Sequence, residues 1–89
     1  MVIFYVLKSL NSSATIAAGG TKSYTVTMPI AMTPRNILAK SSHSFTLDTC
    51  TNFTTANFEV VIRNCSWSAA CSVPANIRCI GIGYVSQDN

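Results

Sequence analysis

Charge is scarce in this chain. Six of its 89 residues are Lys or Arg and three are Asp or Glu, where an ordinary domain carries about a quarter charged residues. The six cations, Lys8, Lys22, Arg35, Lys40, Arg63 and Arg78, form no run. A nucleic-acid footprint is a clustered basic patch, so the net charge of +3 does not argue for a nucleic-acid partner. Helix formers are few as well: one Glu (Glu59), one Gln (Gln87) and four Leu. No apolar run approaches the ~20 residues of a transmembrane helix, which excludes a helical membrane span. Histidine occurs once, as His43. No pair of cysteines has the close spacing of a structural zinc site, so no metal is expected.

The same scarcity leaves catalysis without candidates. Asp48, Asp88 and Glu59 are the only carboxylates, and no spacing pairs them for acid–base work. A nucleophile, base and orienting group must converge, and the lone His43 lies in an alternating strand pattern. Gly19-Gly20 reads as a turn, and Gly81-x-Gly83 lacks the further glycine of a dinucleotide fingerprint. The chain is expected to have no catalytic residues and no cofactor.

What is present is Ser, Thr, Asn and β-branched residues, which suit pleated, half-buried surfaces. Val2–Leu7 (VIFYVL) reads as a buried strand. It lacks the basic residues that precede the apolar core of a secretion signal, which remains the alternative. Ala14–Ala18 reads as a short strand and Gly19-Gly20 as a hairpin turn. Tyr24, Val26 and Met28 share one face of the next strand, which Pro29 ends. Pro34 marks a turn, and Asn36–Lys40 a strand. His43, Phe45 and Leu47 share a face opposite Ser44, Thr46 and Asp48. Phe58, Val60 and Ile62 alternate with Glu59, Val61 and Arg63. Residues 64–74 form a loop around the only tryptophan, Trp67. Asn76–Val85 closes the chain as a long strand, with Ile80, Ile82 and Tyr84 on one face and Cys79, Gly81 and Gly83 on the other. The two glycines permit a close approach, an aromatic of the same domain being preferred over a neighbouring subunit. The pattern predicts one all-β domain over residues 1–89, a small antiparallel β-sandwich of six or seven strands.

Four cysteines in a short chain suggest disulfides where the compartment oxidises. Cys65 and Cys71 bracket a short loop and form one candidate pair, leaving Cys50 with Cys79. Four reduced thiols, packed as small hydrophobes, are the equal alternative.

The segments SYTVTMP, TPRNILAKSSHSF, CTNFTTANFEVVIRNCS and IRCIGIGYV follow one another from residue 23 onward. In this order they resemble the H-type lectin domain, over about two thirds of the chain. The most telling piece is NFTTANFEVVI, a polar turn and an aromatic leading into an alternating strand. The resemblance implies a six-stranded antiparallel sandwich that assembles into trimers. Sugar-binding residues do not transfer position by position: the family commonly carries a Trp in the last strand, where this chain has CIGIGYV, and Trp67 lies in the preceding loop. Composition as a whole resembles that of bacteriophage virion proteins, which are often short, rich in Ser, Thr and Asn, and poor in charge.

Two functions are expected from these readings. The first is a non-enzymatic virion surface protein, a capsid decoration or a tail or fibre component. Its partners would be copies of itself, as a trimer or higher, and other virion proteins. The second is a glycan-binding module. Arg63, Asn64, Trp67 and Ser68 gather planar hydrogen-bonding groups and an aromatic in one loop and are its candidate site for a cell-surface glycan; the preferred alternative is that Trp67 only covers the end of the sandwich. A small secreted protein with two disulfides is the third reading, compatible with the Asn-x-Ser/Thr sites at Asn11, Asn52 and Asn64.

Overall fold

The structure, a computed structural model, describes residues 1–43 and 46–85. It contains eight strands: β1 (Val2–Ser9), β2 (Thr15–Ile16), β3 (Thr21–Thr27), β4 (Thr33–Ser41), β5 (Thr46–Thr51), β6 (Asn57–Asn64), β7 (Cys71–Ser72) and β8 (Asn76–Tyr84). Six are long and two are two-residue strands. No helix occurs among the described residues.

Two three-stranded antiparallel sheets, β1-β8-β4 and β3-β6-β5, form the small β-sandwich, and β2 pairs with β7 as a separate ladder. The central strands are the alternating ones. Strand β6 sends Phe58, Val60 and Ile62 inward, and β8 sends Ile77 and Cys79. Phe4, Val26 and Ile37 join them from β1, β3 and β4. The ring centroids of Phe4 and Phe58 lie 6.4 Å apart, which joins the two sheets through aromatic contact. Ile16 and Val73 add apolar volume from the β2 and β7 regions.

Glycine decides how closely side chains pack onto the inner face of β8. A Cβ on Gly81 would stand 2.6 Å from the Phe4 ring and 2.9 Å from Ile37 Cγ1. At Gly83 it would stand 2.6 Å from Met32 Sδ. The close approach is therefore an aromatic and a methionine of the same domain.

The structure departs from the sequence reading at five places. Strand β1 is an edge strand, not a buried one: Phe4 faces the core, while Ile3, Tyr5 and Leu7 face outward. Gly19, at φ +69°, makes a turn, but β2 pairs with β7 and not with β3. The hydrogen bond of Gly19 N–H to Asn64 O and Ser66 O turns the chain toward the 64–66 loop instead. Pro34 lies within β4, where an irregularity separates the pairs Pro34–Gly83 and Asn36–Ile82. An edge strand with a bulge tolerates the missing donor. The 64–74 loop holds β7. His43 lies outside the strands, its Nε2 2.9 Å from Ser72 O, and Ser44 and Phe45 lie outside the described residues.

Candidate interaction surfaces

The 63–68 loop begins where β6 ends. Asn64 is fully buried. Its Nδ2 donates to Ala69 O (2.9 Å), Ile16 O (3.1 Å) and Ala17 O (3.4 Å). Its Oδ1 accepts from Ser66 N at 3.0 Å. Its backbone N–H donates to Gly20 O. A buried amide must satisfy its polar atoms, and these carbonyls do so by tying the loop to the β2 turn. Asn64 thus has its donors engaged inside the fold. The hydroxyl of Ser66 accepts from Ser68 N and Ala69 N, which holds the loop in a tight turn. That turn leaves Trp67 93% exposed, with Arg63 and Ser68 also exposed. Of the four candidate residues, three are presented to solvent and the fourth is a structural pin.

The four cysteines are free thiols, and neither Cys65–Cys71 nor Cys50–Cys79 is bonded. Cys65 is exposed and Cys79 buried. Burial pushes the Cys79 thiol up to about 11, and nearby Cys50 adds to the effect. Burial also raises Cys50, with Asp48 contributing. These thiols are protonated and apolar in character, the opposite of an activated nucleophile.

The Asp48 side chain is 2% exposed. It accepts from Ser41 N at 2.9 Å and from Thr46 Oγ1 at 3.2 Å, with Lys40 Nζ 3.9 Å away. This arrangement clasps the end of β4 to the start of β5. Glu59 accepts from Asn52 Nδ2 on the surface. Among the described residues, no group of three His, Cys, Asp or Glu side chains is placed to hold a metal. No helix among the described residues is long and apolar enough to cross a membrane.

The two outer faces of the sandwich differ sharply. On β3-β6-β5, the outward residues include Thr21, Ser23, Thr25, Thr27, Thr49 and Thr51, with Leu47 and Arg63 paired at one end. On β1-β8-β4, the register places Ile3 beside Ile82 and Asn36, Tyr5 beside Ile80 and Leu38, and Leu7 beside Arg78 and Lys40. Ile3, Tyr5, Leu7, Leu38, Ile80 and Tyr84 are each between 47% and 65% exposed. The cations stand at the ends: Arg35 lies 5.4 Å over the Tyr84 ring, and Lys40 and Arg78 close the opposite end. Two shallow depressions, of about 260 and 220 Å³, flank the ridge formed by Leu38 and Ile80.

The sequence contained the signal for this face: VIFYVL is apolar on both sides, and Ile80, Ile82 and Tyr84 share a side. It could not say which face of β8 turns inward. Comparison with protein-family models, with curated proteins and with solved structures finds no match for this chain.

Proposed function

We propose that this chain is a non-enzymatic structural subunit of a virion surface, a capsid decoration or a tail or fibre component. It works by assembling as an oligomer. The observation that carries this reading is the contrast between the two outer faces. Six large apolar side chains lie outside the core on one sheet, while the other presents mainly Ser and Thr to water, with Leu47 its one exposed large apolar side chain among the described residues. An apolar patch this large is unusual on a solitary soluble domain and marks an interaction site. The sparse charge and the Ser/Thr-rich surface agree with a protein held among other subunits. The test is an antibody against the purified chain, used on density-banded phage particles from a bacterial host carrying the coding sequence. Signal in the particle band supports the reading. Signal confined to the soluble fraction rejects it.

A second reading has its own observation. Trp67 is almost fully exposed beside Arg63 and Ser68, and an aromatic platform with nearby polar groups suits a neutral sugar. An attachment protein would combine the two roles. Saturable binding to a glycan panel, lost in Trp67→Ala, is the expected result. A folded wild-type chain that binds no glycan and no bacterial cell wall retires this reading and leaves the structural one standing.

A further inference from the structure

We infer that the outer face of β1-β8-β4 is the surface through which two copies of this chain associate, face to face. The inference rests on the reading as an assembling subunit and narrows it to one surface and one partner.

Area is the first argument. The six exposed apolar side chains leave on the order of 700 Å² uncovered, taking about 200 Å² for a fully exposed large side chain. A standard interface takes ~800 Å² from each partner, whereas the largest patch on a typical monomer is about 300–600 Å². One copy therefore supplies nearly one whole side of a stable interface.

Shape is the second. The Leu38–Ile80 ridge stands between a depression lined by Ile3, Asn36 and Ile82 and another lined by Tyr5, Lys40 and Arg78. In an isologous pair, each surface meets its own copy. A ridge beside a hollow of similar size is self-complementary under that symmetry: each ridge enters the other's first depression.

The charges agree. Arg35 and Lys40 lie on the edge strand β4, toward opposite ends of the face, where they remain in water at the rim of the interface, and Arg78 stands in the row of Leu7 and Lys40, outside the Leu38–Ile80 ridge contact. The middle rows carry no charge, so pairing buries no unpaired ion. Addition alongside the β4 edge is disfavoured by Pro34, by the irregularity between Pro34 and Asn36, and by Lys40, which blunt that edge.

The experiment measures mass by light scattering and sedimentation velocity, from about 1 to 100 µM, on the full chain. The variants are Leu38→Lys and Ile80→Lys, with Thr25→Lys on the opposite face as control. Folding of each is checked by circular dichroism. A wild-type and control dimer that weakens at least 100-fold in the two ridge variants is the expected result. Should the ridge variants not fold, nitration of the wild type decides: Tyr5 and Tyr84 become protected as concentration rises, relative to half-buried Tyr24. A wild type that is monomeric at 100 µM, or an assembly the ridge variants leave unchanged, overturns the inference. So does a monomer that sediments with anionic phospholipid vesicles, which would assign the face to a lipid surface. A dimer missing from phage particles would reject the virion reading alone, and a particle-bound monomer the interface alone.

Discussion

The Phe4 ring occupies the place of a side chain at Gly81: a Cβ there would stand 2.6 Å from two ring atoms. The two residues are also register partners on β1 and β8. Glycine is required because the ring covers this position while it packs against Phe58 across the core. Gly81→Ala should cost about 1–3 kcal/mol, the usual penalty of overpacking. Urea denaturation of the two proteins measures it. The double variant Gly81→Ala/Phe4→Leu should lose less than the sum of its single changes, since the smaller side chain vacates the space. Strict additivity would mean that the contact is not what makes glycine necessary.

Asn64 should matter for stability. Asn64→Ala removes the donors that satisfy Ile16, Ala17 and Ala69 carbonyls, at about 2–3 kcal/mol for the unsatisfied groups. Asn64→Asp should be comparably harmful, because a carboxylate cannot donate to carbonyls. A thermal melt unchanged by either substitution would show the loop to be pinned by other contacts.

Trp67→Ala should leave stability within about 0.5 kcal/mol of wild type, as expected for a surface substitution away from structural features. Chemical denaturation checks this. A loss of several times that amount would mean that the indole covers part of the sandwich, and any sugar-binding result from the variant would then need a milder change.

The buried thiols predict an alkaline limit. The Cys79 thiol ordinarily titrates near 9.0 and in the fold near 11, so between those values the folded state holds a proton that the unfolded chain releases. Stability from this group is fully present below about pH 9 and is lost as pH rises toward 11. Urea midpoints should fall over that window, and less steeply in Cys79→Val. Burial of Tyr24 raises its pKa too and acts in the same direction in both proteins. Equal slopes would remove Cys79 as the cause.

The long strands were legible because their chemistry is local. Phe58, Val60 and Ile62 alternate with period two, and a strand with one core face must do so. Tyr24, Val26 and Met28 behave likewise, and Pro29 ends that strand as its missing donor requires. The candidate loop was readable only in part. Trp67 and Ser68 looked available in sequence and are exposed. Asn64 looked available too, but its partners come from residues 16 and 17, 48 and 47 positions away. No local pattern reports a pairing at that distance.

The amino-acid order by itself determined that this chain forms strands, where most of them lie and which residues alternate across them. Period-two patterning and the placement of Gly and Pro act within a few residues. Only the tertiary structure decided which side of β8 is inside. Strand β8 is apolar on one face and small on the other, so hydrophobicity alone favours burying Ile80, Ile82 and Tyr84. The fold buries Cys79, Gly81 and Gly83 instead, because only the small face admits Phe4, Ile37 and Met32. That choice turns the larger apolar side chains outward and creates the surface on which the proposed assembly depends.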